Sequence, residues 1–228
     1  MRLDRTILPV PLKNLTRTLL TTFHAVILTP LNLQRNKAKL VRTLEIGPGL
    51  KKIAGFESIN VGWSPGVDYI GNASSRLPFR AGTFDVVFAS HIIEHLPWYQ
   101  VEHAIAEWSR ILKPGGVLEI WTPDTLKICK AWIRFEDESN TEGMQADGWF
   151  RLNAGKEPAK WASGRIYAYG DGQGTLDHPN WHRALFSARY LQLLLQQAGL
   201  EDVRTLDVSE RRGQGHGWID LGVTGRKP

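Results

Sequence analysis

The chain reads as an α/β fold built on a mostly parallel sheet, and three observations carry that reading. A short apolar strand, Thr43 to Ile46, breaks abruptly into a glycine turn, Gly47-Pro48-Gly49. From Phe84 to Trp121 a buried strand, an amphipathic helix and a second strand follow one another, the succession that parallel neighbours require. Two last strands, Val203 to Val208 and Trp218 to Val223, close the chain behind a leucine-rich helix.

Length and composition set the frame. The 228 residues are enough for one sizeable core plus an appendage or insertion. With 42% hydrophobic and 22% charged residues the chain is ordinary globular material, not a disordered one. Its single cysteine, Cys129, excludes an internal disulfide and fits a reducing compartment, so a cytoplasmic location is expected. No uninterrupted apolar run reaches the length of a membrane span.

The net charge of +5 is unevenly placed. Residues 1–42 hold eight Lys/Arg (Arg2, Arg5, Lys13, Arg17, Arg35, Lys37, Lys39, Arg42) against Asp4, a balance of +7, which leaves −2 for the remainder. The basic character belongs to the N-terminal segment and not to the body, which argues against a broad nucleic-acid surface. Within that segment Leu12, Leu15, Leu19, Leu20, Phe23, Val26, Ile27 and Leu28 repeat at three and four, as one helix face would. Pro11 suits its start and Pro30 is expected to end it. Two readings stand: a helix capping the body, or an interfacial helix whose basic flanks meet anionic lipid. Residues 1–40 are taken as this extension and 41–228 as the main domain.

The glycine turn lets a ligand approach the backbone, because no Cβ stands in the way. The nicotinamide fingerprint G-x-G-x-x-G fails at its third glycine, where Lys52 stands. Downstream come a second strand, Ser58 to Val61, a Ser64-Pro65-Gly66 turn and a third strand, Val67 to Ile70, too close together for a full crossover helix. The run then continues through Leu77-Pro78-Phe79, Phe84-Asp85-Val86-Val87, Ser90-His91-Ile92-Ile93-Glu94-His95-Leu96, a helix from Val101 to Leu112, Lys113-Pro114-Gly115-Gly116 and a strand to Trp121. Together with Glu45-x-Gly47-x-Gly49, this ordered set resembles the core of class I S-adenosylmethionine (SAM)-dependent methyltransferases, of the type 11-like kind predicted in bacterial glycan and cell-surface pathways. The resemblance covers about residues 41–124.

That family implies a Rossmann-like, mostly parallel seven-stranded sheet closed by an antiparallel pair, with SAM as cofactor. It places Glu45, Gly47, Pro48, Gly49, Asn72, Ala73, Ser90 and His91 around the cofactor. Three positions depart from its pattern. Lys51 stands where another glycine is common, and Asn60 or Gly62 where an acid usually grips the ribose, with Asp68 a substitute. Asn72 replaces the aspartate beside the adenine; it still accepts a hydrogen bond but brings no charge.

His91-x-x-Glu94-His95 also fits a zinc-binding helix. That reading needs a further ligand and a helix centred on the motif, whereas here the motif directly follows a strand, so no metal is expected. From Glu136 to Trp181 periodicity is lost and Gly, Asp and aromatic residues accumulate, so 136–182 is read as a substrate insertion after the fifth strand. Trp149, Phe150, Trp161, Tyr167, Tyr169 and Trp181 there offer flat faces suited to a sugar, or else a satellite cluster closing the sheet. Ser187 is the expected N-cap of the helix Ala188 to Ala198. The acceptor is expected to be a polar small molecule, sugar or glycan methylated on oxygen. Its general base is sought among His182, His95, Asp124 and His178, with His182 foremost. An RNA or protein acceptor, or a methyltransferase-like module without activity, is the alternative; nucleic acid is not an expected partner.

Overall fold

The structure, a computed structural model, describes residues 10–49, 52–173, 175–213 and 215–228, with backbone alone for 10–14. Lys51 and the first nine residues of the basic segment lie outside the described residues. One seven-stranded sheet organises the chain, in the order β3-β2-β1-β4-β5-β7-β6. The strands are β1 (Thr43–Ile46), β2 (Glu57–Asn60), β3 (Tyr69–Ile70), β4 (Phe84–Ser90), β5 (Leu112–Pro123), β6 (Glu201–Leu206) and β7 (Asp220–Arg226). Pairing is parallel from β3 to β5, with Glu45 opposite Ser58 on one side and Phe88 on the other. Strand β7 then runs antiparallel to both β5 and β6, so the sheet is mixed. That follows from connectivity: β6 enters from a crossover helix, but only a loop links it to β7, which must turn back through the gap beside β5.

The helices are α1 (Val10–Phe23), α2 (Thr29–Asn36), α3 (Val101–Ile111), α4 (Thr125–Glu138), α5 (Glu142–Ala146), α6 (Pro158–Tyr167) and α7 (Ala188–Gln197). Val101, Ala104, Ile105, Trp108 and Ile111 form the buried stripe of α3, at the spacing the sequence showed. They join Leu44, Phe84, Val87, Leu118, Leu191 and Leu195 in the main core. Ser187 caps α7, its hydroxyl accepting from the Tyr190 amide.

Two expectations give way. Pro30 does not end the N-terminal helix, since a π-helical turn, His24–Leu28, joins α1 to α2. The Thr29 amide reaches back to the His24 carbonyl across that wider turn, and Pro30 falls at the start of α2, where a missing N–H costs little. The region 136–182 is not aperiodic throughout, because α5 and α6 lie within it. They build a second core of Ile128, Met144, Trp161, Ala162 and Ile219, with Trp161 stacked on Trp218 at 6.3 Å between centroids. Trp161 is therefore packing, not a sugar platform.

Candidate active site

A cavity of about 930 Å³ opens at the carboxyl ends of β1, β2 and β4. The chain turns to β2 on one side of β1 and to β4 on the other, so the crevice sits at the switch point of the sheet, where open α/β folds bind ligands. All eight residues expected around a cofactor line it: Glu45, Gly47, Pro48, Gly49, Asn72, Ala73, Ser90 and His91. Gly47 and Gly49 take φ of +67° and +59°, a region other residues rarely enter. A Cβ on Gly47 would fall 2.0 Å from Ile92 Cδ1, whereas nothing among the described residues lies within 4 Å of one on Gly49. Glu45 Oε2 accepts from the Ile53 amide at 2.7 Å and so ties the far side of the turn to β1.

The departures from the family pattern resolve unequally. Asn60 ends β2 and lines the cavity, its Oδ1 accepting from the Val61 amide. Asp68 lines no described cavity; its carboxylate takes the Ser58 amide and Lys52 Nζ, both at 2.8 Å. Asn72 Oδ1 is held by the Ser74 amide and hydroxyl at 3.0 Å each, which leaves its Nδ2 as a donor. The buried Ser90 hydroxyl finds no hydrogen-bond partner among the described residues.

A second cavity, about 530 Å³, shares His91, His95, Asn180 and His216 with the first. Beneath it lies Glu94, 2% exposed. One Glu94 oxygen meets His91 Nδ1 at 3.2 Å and the other accepts from the Thr122 hydroxyl at 3.2 Å. Burial alone would raise this carboxyl; the hydrogen bond and charge of His91, then His95 and His182, hold it down at about 2. His91 sits at φ +54°, a strained conformation for a residue with a Cβ. Burial works against its charge, but bonds to Asp220 and Glu94 raise it to about 9. His216 approaches it at 3.1 Å and is lowered to about 4, first by burial and then by the His91 charge.

His182 and His95 line the second cavity edge to face. His182 Nδ1 lies 3.2 Å from the Ile166 carbonyl, and His95 Nδ1 3.3 Å from the Trp181 carbonyl. A carbonyl can only accept, so each Nδ1 carries a proton, and in the neutral form of either ring the lone pair is on Nε2. Burial lowers His182 below the ordinary histidine value. Asp124 departs from expectation: it lines neither cavity and instead caps α4, accepting from the Lys127 amide. His178 also lies outside both, held in the Thr175–Trp181 turn. Of the aromatic residues in the insertion, Phe150 and Tyr169 face the second cavity, with Arg165 and Arg151 stacked on their rings.

The metal question is reopened by residues distant in sequence. His91, His216 and Asp220 form one set of three donor atoms within 4.8 Å, and Glu94, His95 and His182 another. The further ligand whose absence spoke against a metal is thus present in each. Sequence reading missed His216, Asp220, Arg212 and Arg17, all from segments far from the motifs. The glycine-rich stretch Gly213 to Gly217 between the last two strands was the one available signal.

Residues 27–120 match the model of a methyltransferase domain. Among solved structures, a SAM-dependent methyltransferase from Methanosarcina mazei superposes with a TM-score of 0.50 at 20% identity, covering 86% of this chain and 96% of that one. One from Thermotoga maritima gives 0.48 at 20% identity over 95% and 96%. The trans-methyltransferase CalH, in complex with S-adenosylhomocysteine (SAH), gives 0.46 at 16% identity over 88% and 55%.

Proposed function

We infer that this chain, a class I SAM-dependent methyltransferase, methylates a hydroxyl of a polar small molecule, sugar or glycan, with His182 as general base. One observation carries the reading: the two cavities share lining residues, and the second holds a half-buried histidine, lowered by burial, with a ring nitrogen within 4.8 Å of a buried carboxylate.

The first cavity fits SAM. Gly49 leaves open the space a side chain would fill, and the orphaned Ser90 hydroxyl is a polar group awaiting a partner. Gly47 to Gly49 would back the methionine end, Asn60 the ribose, and Asn72 the adenine edge through its Nδ2. SAM supplies an electrophilic sulfonium methyl. The chain's own task is then alignment and removal of one proton.

His182 is suited to that task. Its Nδ1 is fixed on the Ile166 carbonyl, so the acceptor proton would pass to Nε2. The imidazolium formed would lie in the field of Glu94, an attraction that also acts on His182 in the resting site. Phe150 and Tyr169, backed by Arg165 and Arg151, offer apolar faces with charged edges, a surface for a polyhydroxylated ring.

These histidines are read as a proton network and not a metal centre. Both Glu94 oxygens are already bonded, and His91, raised to about 9, is a cation at neutral pH set against Glu94 and Asp220. A divalent ion would have to displace that charge first. Transfer of labelled methyl from SAM to candidate glycans and hydroxylated small molecules tests the function. Calorimetry with SAM and SAH tests the cofactor separately, and no binding of either would sink the reading.

A further inference from the structure

The N-terminal helical segment is amphipathic in the opposite sense from a packing helix. The face turned to the body works mainly through polar side chains. The Thr21 hydroxyl accepts from the Trp63 amide at 2.9 Å, and that of Thr29 from the Ile70 amide at 3.0 Å. His24 Nε2 meets the Val67 carbonyl at 2.9 Å, and Asn32 Nδ2 donates to the Asp68 carbonyl at 2.8 Å. Asn36 Nδ2 donates to the Tyr69 hydroxyl at 2.7 Å. Strand β3 is the outermost strand on this side of the sheet, so the bonds of His24, Asn32 and Thr29 to Val67, Asp68 and Ile70 take up backbone groups that would otherwise invite another strand.

With its inner face so occupied, the segment turns its large apolar residues outward. Leu15, Leu19, Phe23, Val26, Ile27 and Leu31 are each between 44% and 63% exposed. Their spacing of three and four keeps them on one side over roughly 25 Å of helix. A contiguous apolar strip of that kind marks an interaction surface.

We propose that this face lies in the interface of an anionic bilayer. Charge selects that occupant. The strip runs into exposed Arg35, Lys37 and Lys39; leaving out Arg42, which is buried on Glu57, residues 1–41 still balance at +6 against −1 for the rest of the chain. A second copy docking through the same strip would bring two such segments together, and like charges oppose that contact. Anionic headgroups instead complement the basic end while the acyl boundary takes the leucines and Phe23. No helix among the described residues is long and apolar enough to cross a membrane, so the segment lies on the bilayer and does not span it. This inference stands independently of the reaction.

The test uses the full chain with vesicles of phosphatidylcholine alone and of phosphatidylcholine with phosphatidylglycerol. Co-sedimentation with the anionic vesicles, weakened by salt, is the expected result. The variant L19E/F23E/I27E should lose at least ~10-fold in partitioning. R35E/K37E should abolish the preference for anionic vesicles. An unchanged thermal midpoint would show that these exposed positions leave the fold intact. Failure of the parent protein to sediment with either vesicle at low salt overturns the proposal, as does equal binding to both. A solution dimer that L19E/F23E/I27E converts to monomer also overturns it, assigning the strip to a second copy.

Discussion

The rings of His95 and His182 meet edge to face, 4.9 Å between centroids and 70° between planes, though 87 residues separate them in the chain. Glu94 joins them: its backbone carbonyl accepts from the Arg183 and Ala184 amides at 2.7 and 3.2 Å. The strand-end motif and the exit of the insertion are thereby locked together. A base placed on that exit is tied through Glu94 to the segment that follows β4.

If His182 is the base, His182→Ala should lower turnover by at least ~10²-fold while SAM affinity stays within a few-fold of the parent. The pH profile carries the sign. Burial lowers His182, so its free-base form persists to more acid pH than an ordinary histidine allows. The acidic limb of kcat should therefore fall below pH ~6.5. Turnover within a few-fold of the parent, or an acidic limb above that value, removes His182 from the role.

Stability should pass through a maximum near the unperturbed histidine value. His91 is raised to about 9, so its contribution is complete below the unfolded value of 6.5 and is lost as pH rises towards 9. Glu94, held at about 2, contributes above 4.5 and loses that contribution as pH falls towards 2. His216, lowered to about 4, is protonated more readily unfolded than folded, so stability also declines from 6.5 towards 4. Urea unfolding across pH 3 to 10 should show both limbs. His91→Gln should flatten the alkaline limb and soften the acid one with it, since Glu94 and His216 are both shifted by the His91 charge; an unchanged alkaline limb would discount the His91 cation.

Much of the fold was legible because hydrophobic periodicity is local. The stripe of α3 and the run Phe84 to Ala89 needed no tertiary knowledge. What was lost depended on partners distant in sequence. Arg42 counted as one more solvated charge of the basic segment, yet it is buried. It forks onto Glu57 at 3.0 and 2.8 Å and lies over the Phe84 ring, because β1 and β2 start side by side. Trp161 could be read as a sugar platform or as part of a satellite cluster, and it is the latter; an aromatic residue in a glycine-rich region carries no mark of Trp218 stacking on it from 57 residues later. The residues that line the first cavity were reached through short motifs on the turns after β1, β3 and β4. The His216 and Asp220 side of the site stayed hidden because the β6–β7 loop carries no motif and reaches the cavity only through the antiparallel return of β7.

The two histidine–carboxylate sets make metal dependence a sharp question. We expect chelator-treated protein to contain less than stoichiometric zinc, manganese or nickel and to retain its turnover. The reason is electrostatic: protonated His91 occupies the space between Glu94 and Asp220 that a divalent ion would need. Stoichiometric metal by elemental analysis, with activity lost on chelation and restored by one ion, would overturn the proton-network reading. SAM affinity measured on the same samples separates loss of the acceptor chemistry from loss of the fold.

The glycine turn offers the cleanest discrimination between a site and a structural feature. Gly47 and Gly49 both hold positive φ, so alanine at either carries a backbone cost of about 1–2 kcal/mol. Their surroundings differ. At Gly47 the new Cβ would overlap the Ile92 side chain, so Gly47→Ala should disturb the junction of β1 and β4 and lower the thermal midpoint further. At Gly49 the Cβ would meet no atom of the described residues within 4 Å, beside the cavity proposed for SAM, so folding should suffer only the backbone cost. If the cofactor lies against that turn, Gly49→Ala should weaken SAM and SAH by ~10-fold or more at nearly normal stability. Calorimetry on both variants, read beside their melting curves, decides it. Parent-like affinity in a folded Gly49→Ala protein would move the cofactor away from the turn.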